Sequence, residues 1–257
     1  MDSNPATPTP PAPIRNLLVT GSSGRIGSYF IKQNLERYTF RMVDRVPWEA
    51  ALNGPVPGQA SVQDLSDIGA CRALCQGMDA VLHLAANPHP DAPFEALLPN
   101  NFVTTYNMFQ AAHEAGVRRL IFASSIHAID AYPEDVLVFP DMAPWPRNMY
   151  GVSKIYGEVV GKYFALTCGL PTICLRIGPY IPHGSRIELS VRDQKAYTDP
   201  DDLNQLINKC LASAIPYAIV HATSLNRQMR MDITASMRDF DYHPTADGFE
   251  VYKTKAA

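Results

Sequence analysis

The sequence predicts an α/β fold in which helices cover both faces of a parallel sheet, and three observations carry that prediction. From Ile14 onward, short apolar runs alternate with longer amphipathic segments, the pattern of repeated strand-helix-strand units. The runs themselves, such as LLV, LIFA and TICL, are almost continuously apolar, as strands buried on both faces require. With 257 residues, 46% of them hydrophobic and 18% charged, the chain has material for one domain with a sizeable core.

Taken in order, strands are expected at 16–20, 40–44, 60–62, 80–85, 120–124, 172–176 and 218–221, and helices at 25–37, 66–76, 94–115, 150–167 and 201–212. Seven strands suit a doubly wound sheet. Residues 1–13 hold five prolines among small polar residues and are expected to form a disordered tail, leaving 14–257 as the folded domain. The irregular stretches 131–149 and 178–200 follow strand ends and are long enough to be functional, which places the substrate-binding elements mainly within 178–257.

Composition narrows the function. A net charge of -3 argues against a nucleic-acid or anionic-membrane partner, since both need a clustered positive field. No stretch approaches the roughly 20 apolar residues that span a bilayer, and the first residues lack the basic start and apolar run of a secretory signal. Cys71, Cys75, Cys168, Cys174 and Cys210 form no CxxC pair and leave an odd thiol, so a cytoplasmic location with free thiols is expected and no metal site. The expected ligand is a small molecule.

The run NLLVTGSSGRIG sets Gly21, Gly24 and Gly27 at three-residue spacing between the first strand and the first helix. A strand leading into a glycine turn and then a helix N-terminus is the phosphate-binding unit of a Rossmann sheet. The turn leaves no room for a side chain, and the helix start offers free amides to a pyrophosphate. Ser23, Arg25 and Ile26 of the same turn are expected against the cofactor. Asp44, ending the second strand 23 residues after Gly21, is placed to accept hydrogen bonds from an adenosine ribose, so NAD is the expected cofactor. Arg45 follows directly and offers a cation to a 2′-phosphate, which leaves NADP use open. Asp64 and Leu65, after the third strand, are expected near the adenine.

The fifth strand ends at Ser124 and Ser125, and YGVSK opens a helix with Tyr150 and Lys154 four residues apart on one face. A phenol is a poor base at neutral pH. A cation about 4 Å away at an effective dielectric near 20 lowers its pKa by roughly three units, enough to let Tyr150 take a proton from a substrate hydroxyl. Ser125 would then hold the developing carbonyl oxygen, and Lys154 would also bond the nicotinamide ribose.

These pieces, VTGSSGRIG, VLHLAA, NNFVTTYN, FASS, YGVSK and LRIGP, resemble the extended branch of the short-chain dehydrogenase/reductase superfamily, the NAD-dependent epimerases and dehydratases. The resemblance spans Arg15 to about Pro182. It implies that Leu84, Ala85, Ala86 and Ile177 line the cofactor, and that Asn101 sits in the helix behind the active site on the cofactor side. Within the branch the chain most resembles bacterial uronate dehydrogenases, which oxidise the anomeric carbon of a uronic acid to an aldarolactone. By that likeness Arg186 matches the arginine that holds the substrate carboxylate. Asn87, Ser125, Ile126 and His127 would complete the substrate site. Ile126 stands where those enzymes have asparagine, and Asn87, Pro88 and His89 where they offer a serine; His127 is either a pocket residue or a hydrogen-bonded structural one.

Two other readings share these residues. A nucleotide-sugar epimerase or dehydratase uses the same serine, tyrosine and lysine, but generally with a larger C-terminal lobe than the 81 residues that follow Arg176. A cofactor-sensing protein keeps the fold without turnover, and such proteins often lose the tyrosine or lysine retained here. The two long helices at 94–115 and 150–167 carry apolar residues on more than one face, among them Tyr106, Phe109, Val160 and Phe164. The resemblance implies that they pair across a two-fold axis, making the protein a homodimer or higher homo-oligomer.

Overall fold

The computed structural model describes residues 13–48, 54–185 and 187–251; the expected tail through residue 12 and Arg186 lie outside them. Seven parallel strands, β1 (Asn16–Thr20), β2 (Thr39–Asp44), β3 (Gln59–Val62), β4 (Ala80–His83), β5 (Arg119–Ser125), β6 (Thr172–Ile177) and β7 (Tyr217–Ala222), form one sheet in the order β3-β2-β1-β4-β5-β6-β7. The chain reverses its direction of travel across the sheet between β1 and β4, and in open sheets the crevice beyond the strand ends at such a reversal is where ligands bind.

Side chains alternate across the sheet, so adjacent strand residues feed different cores. Leu17, Val19, Ile121 and Ile173 pack beneath α1 (Arg25–Gln33) and α7 (Pro200–Ala212) with Phe30, Leu206 and Ile207. Leu18, Leu120, Phe122 and Cys174 face α2 (Ile68–Cys75), α4 (Thr104–Glu114) and α5 (Met149–Leu166) through Cys71, Met108, Phe109 and Phe164. Phe109 and Phe164 are therefore core residues. Of the four apolar residues named on these helices Tyr106 is exposed, and Val160 packs partly against the core.

The helix expected over 94–115 is interrupted. A short helix α3 (Phe94–Leu97) passes into a π-helical stretch, Leu98–Val103, before α4 resumes. Pro99 has no N–H to give the preceding turn, and its carbonyl accepts from the Thr104 amide five residues on. Three further short helices, α6 (Val191–Gln194), α8 (Thr234–Phe240) and α9 (Gly248–Val251), lie in parts of the sequence without helical periodicity.

The two long irregular stretches are tied to the C-terminal part of the chain. The Val138 amide donates to the Arg230 carbonyl at 2.9 Å, and the Asp232 amide returns the bond to Val138 at 2.9 Å. The fully buried Arg230 side chain bonds the carbonyls of Asp130, Tyr132 and Pro133. Beyond β6, the Thr198 hydroxyl donates to the Ala222 carbonyl at 2.7 Å, and the Ser224 amide donates to the Tyr197 carbonyl at 2.9 Å. These segments stand above the C-terminal edge of the sheet and form one wall of a cleft.

Candidate active site

A cleft of about 1210 Å³ runs across the C-terminal ends of the strands. One end is made of backbone. The chain leaves β1 through Gly21, at a left-handed φ of 68°, and enters α1 at Gly24, with no side chain capping the helix. A Cβ on Gly27 would lie 2.4 Å from the Gly21 carbonyl oxygen, so any larger residue would push the turn open. Thr20 secures the opposite rim: its hydroxyl accepts from the Leu84 and Ala85 amides, each at 3.2 Å, leading the chain past the turn. Gly21, Gly24, Arg25, Ile26 and Gly27 face Leu84, Ala85 and Ala86 across this part of the cleft.

Asp44 lies at the rim beside the turn, with Asp64 and Leu65 farther along. Its carboxylate accepts from the amides of Ser23 at 2.9 Å, Arg45 at 2.7 Å and Val46 at 3.2 Å. Those bonds orient it on three backbone donors. Ser23 itself supports the rim instead of lining the cleft, donating its hydroxyl to the Val46 carbonyl at 2.9 Å. A narrow turn without side chains, an uncapped helix start and an oriented carboxylate fit a dinucleotide.

The cleft floor holds Ser125, Tyr150 and Lys154, all of them buried. Asn148 starts α5 by accepting from the Gly151 amide at 2.8 Å. Gly151 lets the helix start press on the end of β5, because a Cβ there would meet the His127 carbonyl oxygen at 2.2 Å. Farther along α5, Glu158 forms a buried ion pair with Arg176 of β6 at 2.8 Å and accepts from Ser124 at 2.6 Å. Helix and strand ends are thus locked in register beneath the floor.

The electrostatics differ from what the four-residue spacing alone implies. Burial pushes the Tyr150 phenol up to about 12, opposed by a hydrogen bond with Ser125. Burial also brings Lys154 down to about 8. The Lys154 ammonium donates to the Ala123 carbonyl at 2.8 Å and lies 5.4 Å from the centre of the Tyr150 ring. Loss of water thus outweighs the expected cation effect on the phenol, and burial shifts both groups toward their neutral forms while leaving Lys154 mostly protonated at neutral pH.

Behind the floor, Asn101 lies in the π-helical stretch, donating to Ser153 at 2.9 Å and exchanging bonds with the Asn87 backbone. Asn87 and Asn101 brace the floor without lining the cleft, whereas Ile126, His127 and Ile177 do line it. The ring of His127 packs edge-on to Tyr150, with centroids 5.4 Å apart. Asn148 uses its oxygen to cap α5, so its amide nitrogen donates to His127 Nδ1 at 3.2 Å, leaving Nε2 as the protonated ring atom of the neutral imidazole. Burial lowers the His127 pKa, opposed by Asp130.

The other end of the cleft contains residues that motif reading did not single out: Asp130 after β5, and Arg192 and Asp193 on α6, with Tyr180, Ile181 and Leu189 beside them. Arg192 contacts Asp130 directly. No periodic pattern marks these positions; the only signal was the length of the two loops that carry them.

The comparisons agree with this geometry. The model of the NAD dependent epimerase/dehydratase family matches residues 17–221. The NAD-dependent glucose-6-phosphate dehydrogenase of Haloferax volcanii is 32% identical over 249 residues, covering 91% of this chain and 94% of that protein. A uronate dehydrogenase of Pseudomonas putida is 32% identical over 223 residues, covering 86% and 80%. The crystal structure of uronate dehydrogenase from Agrobacterium tumefaciens superposes with a TM-score of 0.83 at 28% identity, covering 95% of this chain and 90% of that one. With its strand order, glycine turn and family match in agreement, the chain belongs to the NAD dependent epimerase/dehydratase family.

Proposed function

We propose that the protein is an NAD-dependent dehydrogenase that oxidises the C1 hydroxyl of a small cyclic sugar to the lactone. The observation that carries this reading is the buried group of Ser125, Tyr150 and Lys154 on the floor of a cleft whose far end is the glycine turn and Asp44. NAD, when bound, supplies the hydride acceptor. Gly21, Gly24, Arg25, Ile26 and Gly27 would hold its pyrophosphate, Asp44 its adenosine ribose, and Leu84, Ala85, Ala86 and Ile177 the faces between.

Tyr150, once it has given its own proton to solvent, takes the proton from the C1 hydroxyl as phenolate while the C1 hydrogen leaves with its electron pair. Ser125 holds the same oxygen while its bond to carbon becomes double. Lys154 supplies a positive charge beside the phenolate that must exist before this transfer, at a site where water does not compensate it. Each turnover converts one sugar and one NAD to one lactone, one NADH and one proton. Relatives named for oxidising uronate and glucose 6-phosphate support a sugar as substrate. The test is NADH formation by absorbance with NAD and a panel of aldoses, uronic acids and polyols. Interconversion of sugars without net NADH, or NAD binding without turnover, would contradict it.

We further propose a homodimer in the cytoplasm. Val159, Tyr163 and Leu166 of α5 and Tyr106 of α4 leave large apolar or aromatic surfaces exposed, as a self-complementary helix pair would need. All five cysteines are free, which suits a reducing compartment. Among the described residues no helix is long and apolar enough to cross a membrane. A monomeric mass by light scattering at micromolar concentration would contradict the dimer.

A further inference from the structure

We propose that Asp130 makes the substrate end of the cleft select a neutral sugar over a sugar acid. The inference rests on the dehydrogenase reading and names the substrate class of the same site.

Asp130 is 5% exposed and lines the cleft just past the turn that carries His127. One carboxylate oxygen contacts the Arg192 guanidinium and lies 3.9 Å from Arg230; the other lies 3.7 Å from His127 Nδ1. Arg192 is the arginine that lines the described cleft wall at this end. Its charge is already met, since Glu134 stands 3.7 Å from it and Asp193 3.8 Å, besides Asp130. Three carboxylates therefore surround one cleft-facing guanidinium.

A carboxylate or phosphate on an incoming sugar would meet an arginine that is already neutralised, and would stand close to Asp130 and Asp193. Like charges repel, and breaking the Asp130–Arg192 pair to free the arginine would leave a buried carboxylate with only the longer contact to Arg230 for a cation. A neutral sugar meets no such conflict. Its hydroxyls donate to Asp130, accept from Arg192 and from His127, and leave the ion pair intact. Ile126, also lining the cleft, adds an apolar surface for the C–H face of a pyranose.

The test compares matched pairs, glucose with glucuronate and galactose with galacturonate, using the wild type and Asp130→Asn. Wild type is expected to favour the neutral member in kcat/KM by about tenfold or more, and Asp130→Asn to shrink that preference by about tenfold, mainly through a lower KM for the acid. The KM for NAD should stay unchanged. Wild-type preference for the acid, or a neutral-to-acid ratio that Asp130→Asn leaves unaltered, overturns the proposal. The same outcome would follow if Arg186 held a substrate carboxylate. The wild-type ratio decides the matter even if the variant folds poorly. Calorimetric binding of the same pairs to NAD-loaded Tyr150→Phe reads the preference without turnover. Absence of turnover in the wild type would sink the dehydrogenase reading, while the binding ratio still decides this one.

Discussion

The two ends of the cleft are made of different materials. At the cofactor end the contacts available are mainly backbone: a glycine turn, an uncapped helix start and the ends of β1 and β4, with Asp44 oriented beside them on three amides. At the substrate end they are side chains, Asp130, His127 and Arg192, carried on irregular segments that bonds to the C-terminal part hold in place. Backbone geometry tolerates few residue types, so it leaves a motif. A side chain on a braced loop leaves almost none. The first kind of site is shared across a family and the second changes with the substrate.

Substitutions can separate these ends, and the largest effect belongs to the floor between them. Tyr150→Phe is expected to lower kcat by roughly a hundredfold or more, since general-base catalysis is typically worth 10²–10⁴, while NAD affinity and sugar binding stay close to wild type. Steady-state kinetics with calorimetry reads all three. A weakened NAD affinity would mean that the floor and the cofactor end are one unit.

Glu158→Gln attacks the support below the floor. It leaves Arg176, 1% exposed, without its ionic partner, and stability should fall by about 3 kcal/mol in urea unfolding. A loss under about 1 kcal/mol would show that α5 is held on the sheet by its apolar contacts alone.

Lys154 adds a dependence on pH. Its folded pKa of about 8 lies below the ordinary 10.5, so between these values the unfolded chain binds a proton that the native protein has released. Wild-type stability relative to Lys154→Met should therefore rise with pH across that window, by about 3 kcal/mol in all, and be flat below it. Denaturation series from pH 7 to pH 11 would show it as wild type gaining on the variant. A wild type that loses ground to the variant as pH rises would mean that the ammonium is stabilised in the fold.

The smallest effect is confined to one end. Asp44→Ala should reduce a preference for NAD over NADP of about tenfold, roughly 1.4 kcal/mol, and leave the ranking of sugars unchanged. Equal kcat/KM with the two cofactors in the wild type would remove Asp44 from the account.

The strand positions, the glycine turn and the Ser125, Tyr150 and Lys154 group were legible because each obeys a period or a spacing. The break at Pro99 was written in the sequence but overridden in the reading by strong apolar periodicity on either side of it. Asp130 and Arg192 were not legible. Their meeting depends on how two loops fold over the sheet edge, one held by Arg230 from far along the chain and the other by the bond of Thr198 to the Ala222 carbonyl. The acidity of Tyr150 was misjudged for a related reason: spacing places Lys154 nearby, but only the packed structure shows how completely both groups lose water.

The claim that the floor removes hydride from C1 is tested most directly with an aldose carrying deuterium at that carbon. Incubated with NAD and the wild-type enzyme, it should give a reduced cofactor one mass unit heavier than NADH from the unlabelled sugar, together with a lactone free of the label. Unlabelled NADH, or deuterium kept in the sugar product, would contradict it.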